Sequence, residues 1–546
     1  MKRKAVAAVL TAVMVASMFT GCGSDNGSSS AKSASAASAA SAANDTVDED
    51  GKVNGIMYQE GLPLVDEGDY TFSIFCDDSS ESGEFIMLDE FKKQTNVDVD
   101  LKIYPYETAT ERLNLDLNSG DYADVIGGWT LSDNAILTYG VNQGVFIPLE
   151  DYFEKYCPNI SAILDLPGVR EKMTAPDGHI YTIPYVCGDT TVGYSPYINT
   201  KWLENVGMSM PTTTDEFEAV LKAFKEQDAN GNGDASDEIP FSTDPNNKHI
   251  EAMAGYFGLP MNKLGIAIQN EKVVYGGVSD TYREFLSWFH KLYAEGLVDV
   301  ELYTQDSSTW EGKGNQDLYG VSIAYGSGEF TGIPAAEERG DFDSMPVLNT
   351  DKGGIWLRDT EGFSVYRTQA VITNKAEHPE IICRWFDNAF ALENGIGCNR
   401  GPVGVIVNKE DDGYHAIDTT TLSEEDQEKY SWGNLWPQSL PKYLPVDFEF
   451  VEEHPMYDEK KATEEAYEAN LTKEIIPSYW IDLDKIDTFS DTNTAIKDFF
   501  EQQQAQFVCG ELDIDNDADW QAYVDGMYSL GLEDWVATQG IEEIAK

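Results

Sequence analysis

Residues 211–240 read PTTTDEFEAVLKAFKEQDANGNGDASDEIP, and they join a capped amphipathic helix to a loop crowded with oxygen side chains. Thr213 followed by Glu216 has the spacing of a capping box, in which two side chains satisfy free backbone N–H groups at a helix start. Phe217, Val220, Leu221 and Phe224 stand at i, i+3, i+4 and i+7, so one face of this helix is predicted to be buried. From Asp228 the order Asp-x-Asn-x-Asn-Gly-Asp-x-x-Asp-Glu alternates carboxylate and amide oxygens, with Gly233 free to make the turn that lets them converge. A hard cation such as Ca²⁺ suits that arrangement. The expected ligands are the side chains of Asp228, Asn230, Asn232, Asp237 and Glu238, with the backbone carbonyl of Asp234. Ile239 occupies the twelfth position, where an EF-hand has its bidentate Glu, so closure falls to Asp237 or Glu238. The same residues are ordinary turn formers, and a solvated Asn-Gly turn is the competing reading.

Around this stretch, a 546-residue chain exceeds one typical core, and two or three domains are expected. Its formal charge of −59 repels polyanions and anionic lipid surfaces, which argues against a nucleic-acid partner. Seven cysteines are scattered without a CxxC pair or zinc-like spacing, so no metal use is expected of them. Cys383, inside the apolar run IICRWF, reads as a buried free thiol.

The first 21 residues have a basic start, MKRK, and an apolar run too short to span a bilayer stably, the pattern of a secretory signal. The run ends in Met-Phe-Thr-Gly-Cys, which resembles the bacterial lipobox and makes Cys22 the expected lipidated residue, although Phe19 stands where that pattern prefers Leu. Residues 22–66 are then expected to be a flexible tether, Ser/Ala/Gly-rich at first, with a reach of about 35 to 40 Å. Cleavage to a soluble secreted protein is the alternative.

From Tyr70 the pattern becomes βαβαβ: a strand over 70–75, a helix over 85–95, alternating Val97, Val99, Leu101 and Ile103, a helix over 109–117, and a strand over 123–126. That order argues for an open α/β sheet with ligands near the carboxyl ends of its strands. Further on, Pro176-Asp177-Gly178 is a hairpin turn leading to a strand from which Tyr185 would emerge. A second helix carries Phe285, Trp288, Phe289, Leu292 and Tyr293 on one face and ends at Gly296. Strands over 320–324 and 362–373 and a helix opened by Pro379 follow. The run Asp513-x-Asp515-x-Asp517-x-Asp519 imitates a calcium loop but has Ala518 where the turn wants Gly, so it reads as a solvated helix start capped by Asp517 or Asp519.

Pro176-Asp177-Gly178-x-Ile180-Tyr181, Ile198-Asn199-x-x-Trp202-Leu203, the helix and loop of residues 211–240, Leu292-Tyr293-x-Glu295-Gly296-Leu297, and Asp519-Trp520 with Tyr523, Leu530 and Gly531 together resemble the extracellular solute-binding lipoproteins of bacterial ABC transporters, the family 1 carbohydrate type. The resemblance runs through most of residues 68–535. It implies two α/β lobes joined by a hinge, closing over a sugar or oligosaccharide and delivering it to a membrane permease. The resulting division is lobe 1 over 67–185 with a return over about 325–400, and lobe 2 over 186–324 with a return over about 401–546. It further implies a monomer, held outside the membrane only by a lipid. Some relatives hold structural calcium in a similar loop, from which this sequence departs by one extra residue between Asp234 and Asp237.

No GxSxG, HExxH or GxxxxGK[ST] motif is present, and the six histidines form no metal-spaced pair. The expectation is a binding protein, not an enzyme. A surface glycoside hydrolase is the runner-up, because paired carboxylates carry no fixed motif, and a static adhesin is third. A sugar cleft needs flat aromatic faces, and this chain has 11 Trp, 28 Tyr and 24 Phe. Trp129, Tyr185, Trp310, Trp356, Trp432 and Trp436 lack the helical periodicity that marks Trp288 and Trp385 as core, so these six are the candidate ligand contacts. Partial core packing is the alternative for each.

Overall fold

The structure is a computed structural model and describes residues 45–78, 84–188, 190–244, 249–332, 340–445, 448–451, 455–541 and 543–545. The expected signal segment, Cys22 and the first half of the tether lie outside the described residues. Among those described, no helix is long and apolar enough to cross a membrane.

Two sheets organise the fold. The first has five strands in the order Val97–Tyr104, Tyr70–Asp77, Val125–Gly127, Phe363–Ile372, Thr182–Gly188. Its three early strands are parallel, as the βαβαβ pattern requires, with helices Ile86–Thr95 and Tyr106–Ser119 as the crossovers. Phe363–Ile372 then enters antiparallel to both of its neighbours. Both faces are covered: Phe72, Ile74, Cys76 and Ile372 pack into one apolar cluster, and Phe75, Ile126 and Val371 into another. Alternate residues of one strand thus serve opposite cores.

The second sheet runs Phe342–Ser344, Ser195–Asn199, Tyr319–Ala324, Ile239–Thr243, with only the last pair parallel. Beside it lies the largest apolar cluster, built from helices Thr214–Glu226 and Asp280–Ala294 and from helices Ile486–Cys509, Asp517–Ser529 and Leu532–Thr538. The second helix is capped by Ser279, whose oxygen accepts the Tyr282 N–H, and it buries Phe285, Phe289 and Leu292.

The chain passes between the sheets more than once, and the crossings hold one another. Around Thr191, between the Thr182–Gly188 and Ser195–Asn199 strands, the backbone runs beside residues 359–360: Asp359 N–H donates to Thr191 O at 3.0 Å, Gly193 N–H to Asp359 Oδ2 at 2.7 Å, and Thr360 Oγ1 to Thr190 O at 3.1 Å. A further crossing, residues 476–481, is pinned by Arg367, which donates to Tyr479 O at 2.7 Å, pairs with Asp133 and lies 4.2 Å from the Trp480 ring centre. Two α/β bodies joined by hydrogen-bonded crossings form a two-lobed hinged fold.

Several expectations need correction. Residues 45–66 are not tether: Val53, Met57, Leu64 and Val65 are buried in the first lobe's core, and Arg384 donates to the carbonyls of Tyr58 and Gly61. Their four apolar side chains supply the burial that the Ser/Ala run lacks. The return segments also differ from those expected. Phe342–Ser344 pairs with Ser195–Asn199 in the second sheet, whereas Trp436 and Leu440 pack under the first. The helix after the Asp513 run is capped by Asn516, whose Oδ1 accepts the Ala518 N–H, and not by Asp517 or Asp519. None of the six described cysteines is in a disulfide, and Cys383 is buried as expected.

Candidate functional site

The first lobe's aromatics come from a strand end, two neighbouring strands and a short turn. Gly127-Gly128 closes a strand against Asp77, whose buried carboxylate accepts the N–H groups of Trp129 at 2.9 Å and Thr130 at 2.6 Å. Gly128 has φ +132°, and a Cβ there would strike the Asp77 carboxylate, so only glycine permits this grip. The turn projects Trp129, 45% exposed, against Tyr366 with ring centres 5.3 Å apart and nearly perpendicular. Tyr366 in turn lies parallel to Tyr185, 5.5 Å away on the neighbouring strand. Trp432, 53% exposed, stands on the short Trp432–Asn434 turn. The Lys442 ammonium lies 5.5 Å from the Tyr185 ring centre and 5.6 Å from that of Trp432, joining the two.

The second sheet presents aromatics to the same groove. Tyr194, immediately before one of its strands, stacks on His249 with centres 4.0 Å apart and meets Tyr325, which follows another strand, at 6.1 Å. Lys460 lies 3.7 Å from the Tyr325 ring centre and donates to Gly193 O. The two lobes come close here: the Tyr194 hydroxyl lies within electrostatic reach of Tyr366, and Arg400 of the first lobe within reach of Tyr325. Burial holds Arg400 below its ordinary range, pushes Glu329 up, and lowers His249 to about 4.

Of the six candidates, Trp129, Tyr185 and Trp432 thus come together. Trp310, Trp356 and Trp436 do not. Trp310 is buried against Phe330 and donates to Ser322 Oγ at 3.2 Å; Trp356 packs with Tyr256 and Tyr467; Trp436 stacks on Trp385 at 5.7 Å. All three are at most 3% exposed, which closes their faces to a ligand in this conformation. Tyr366, Tyr194 and Tyr325 went unnoticed in the sequence. Tyr194 and Tyr325 flank strands Ser195–Asn199 and Tyr319–Ala324, a signal the sequence carries, whereas Tyr366 lies within strand Phe363–Ile372 and is marked by nothing local.

The oxygen-rich loop is formed from the residues expected. Thr213 caps helix Thr214–Glu226 through Glu216 N–H at 3.2 Å, while Glu216 reaches back to the Thr212 N–H at 2.8 Å, one residue earlier than a capping box does. Phe217, Val220, Leu221 and Phe224 are all buried. In the loop, Gly233 (φ +94°) donates to Asp228 Oδ2 at 3.0 Å, and Asn232 Nδ2 donates to Asp237 Oδ2 at 2.7 Å. Glu238 Oε1 accepts the Ala229 N–H at 2.9 Å. Asp234 Oδ1 accepts both the N–H and the hydroxyl of Ser236. Two oxygens are buried with no hydrogen bond, Asp228 Oδ1 and Glu238 Oε2. Burial, with the neighbouring Asp237 charge, raises the Glu238 pKa. The two stranded carboxylate oxygens suit a hard cation, which would relieve both costs.

Two α/β lobes that bring aromatic side chains close to one another are an architecture suited to holding a ligand between them. Residues 78–395 match the family model described as bacterial extracellular solute-binding protein. The fructooligosaccharide ABC transporter substrate-binding protein FusA of Streptococcus pneumoniae is 32% identical over 411 residues, 73% of this chain and 70% of that one. Its structure with kestose superposes with a TM-score of 0.74 at 26% identity, covering 86% of this chain and 98% of that chain, and the structure of an EF-hand mutant of FusA with fructo-nystose gives the same TM-score at 27%, over the same shares of the two chains. Lipoprotein LipO of Bacillus subtilis is 28% identical over 280 residues, half of this chain and 52% of that one. This chain belongs to the bacterial extracellular solute-binding proteins.

Proposed function

We propose that this protein is the substrate-binding component of an ABC importer and captures an oligosaccharide between its lobes for delivery to a permease. The observation that carries this is the aromatic set on the two lobes: Trp129, Tyr366, Tyr185 and Trp432 on one, Tyr194 and Tyr325 on the other, with Tyr366 near enough to Tyr194 to disfavour its ionisation. Flat rings on both walls match the C–H faces of pyranose or furanose rings, and hinge closure would sandwich the sugar. The similarity to FusA supports a carbohydrate ligand.

Asp228, Asn230, Asn232, Asp237 and Glu238, with the Asp234 carbonyl, would hold a structural Ca²⁺ within the second lobe. Cys22 would carry the lipid, leaving the folded part, from residue 45, on a shorter tether outside the membrane as a monomer. A thermal-shift screen of the purified protein against a glycan library, led by kestose, tests the central reading: a rise in melting temperature with a specific oligosaccharide supports it. Steady release of new reducing ends from the bound glycan would overturn it in favour of a hydrolase.

A further inference from the structure

Lys442 is only 1% exposed, and its surroundings belong to the first lobe's wall of the groove. Its Nζ donates to Gln438 Oε1 at 2.6 Å and faces the rings of Tyr185 and Trp432. Gln438 in turn donates through Nε2 to the carbonyls of Trp432 at 3.0 Å and Trp436 at 2.9 Å, and its N–H bonds Asp78 Oδ2 at 2.7 Å. Trp432 sits on a single 3-10 turn with half its surface in solvent, so the regular structure around it does little to fix its ring. A methionine would fill the Lys442 volume without the cost of burying a charge. What the ammonium adds is directional: a hydrogen bond to the residue that holds the Trp432 carbonyl, and cation–π contact with two rings.

The geometry points to Lys442 as a positioning residue, whose ammonium, through Gln438 and the two ring faces, holds Tyr185 and Trp432 as a fixed pair of platforms for the ligand. This rests on the reading of the groove as the ligand site. The groups facing the ammonium are Tyr185 and Cys187 of strand Thr182–Gly188, Cys398 and Arg400 of helix Leu392–Arg400, Asp78, Gln438 and Trp432. Burial is the largest influence and lowers the Lys442 pKa to about 8; Asp78 favours the charge and Arg400 opposes it. Above pH about 8 the ammonium gives way to the neutral amine, the cation–π contacts are lost, and the hold on Trp432 loosens.

The test reads Trp432 without a ligand and then with one. Acrylamide quenching of wild type minus that of Trp432→Phe isolates the Trp432 indole. In wild type its quenching should rise as pH passes through about 8; in Lys442→Met it should be high and flat, and in Lys442→Arg low and flat, because the guanidinium keeps its charge. With kestose at pH 7, Lys442→Met should weaken binding by about fivefold or more and Lys442→Arg should restore it to within about twofold, the scale of one cation–π and hydrogen-bond contact. If the Trp129→Ala/Trp432→Ala double variant binds kestose like wild type, the groove reading falls. If that variant loses binding while Lys442→Met keeps it and the quenching is flat with pH in wild type, only the Lys442 proposal is overturned. If wild type takes no kestose, quenching at pH 7 decides: greater Trp432 quenching in Lys442→Met than in wild type supports the proposal and equal quenching refutes it, with Lys442→Gln in its place if Lys442→Met does not fold.

Discussion

Calcium removal should lower the melting temperature of the second lobe, and the size of the shift follows from the loop. Asp228 Oδ1 and Glu238 Oε2 are buried without partners, and the Glu238 carboxyl is pushed upward by burial and by Asp237. The cation would bind only the folded loop, so at a hundred times its Kd it adds about 2.7 kcal/mol of stability. For a unit of about 150–250 residues each kcal/mol moves Tm by about 2–4 °C, which gives about 5–10 °C between calcium and EGTA in scanning calorimetry. Two variants separate the cation from the turn. Glu238→Gln retains an oxygen for the Ala229 N–H and removes a buried charge, so in EGTA it should melt no lower than wild type. Asp228→Asn likewise retains an oxygen for Gly233. Both should lose most of the calcium shift. A shift under about 1 °C on chelation, with no metal by mass spectrometry in protein purified from calcium buffer, would refute the site and leave a solvated turn.

Further expectations concern residues that look alike in the sequence but sit differently. Trp436→Ala, emptying the stack on Trp385 and Phe91, should cost about 3–5 kcal/mol in chemical denaturation, whereas Trp432→Ala, half exposed, should stay within about 0.5 kcal/mol and instead weaken ligand binding. Thr213→Ala removes the acceptor for Glu216 N–H and should cost about 1 kcal/mol, measured the same way. His249 has its pKa depressed to about 4, so its neutral form favours folding; that stability is complete above pH 6.5 and is lost as pH falls from there to about 4. His249→Asn, which tolerates the φ of +46° at this position, should shrink the drop in Tm over that interval.

The local elements were legible because each is written in a short window. The apolar stripe of residues 217–224, the alternation after Val97 and the cap at Thr213 require no knowledge of the rest of the chain, and all three form. The tryptophans were not separable in that way. Trp432 and Trp436 are four residues apart in an irregular run, and only the arrival of Phe91 and Trp385 from distant helices decides that the second is buried. Lys442 is a stronger case: a lysine in a Pro-rich loop reads as exposed, and its burial depends on Tyr185 from another strand and on Gln438 four residues before it. The tether's distal half failed for a related reason, since Val53 and Met57 find their partners in helices and strands elsewhere in the chain.

The central claim is that the interlobe aromatics are the ligand site, and calorimetric titration of kestose and related oligosaccharides into wild type and the Trp129→Ala/Trp432→Ala variant tests it most directly. The account predicts saturable one-to-one binding by wild type and a loss of tenfold or more in the variant, about 1.4 kcal/mol or greater, with an unchanged fold. Binding of the same oligosaccharide by the variant with wild-type affinity would contradict it.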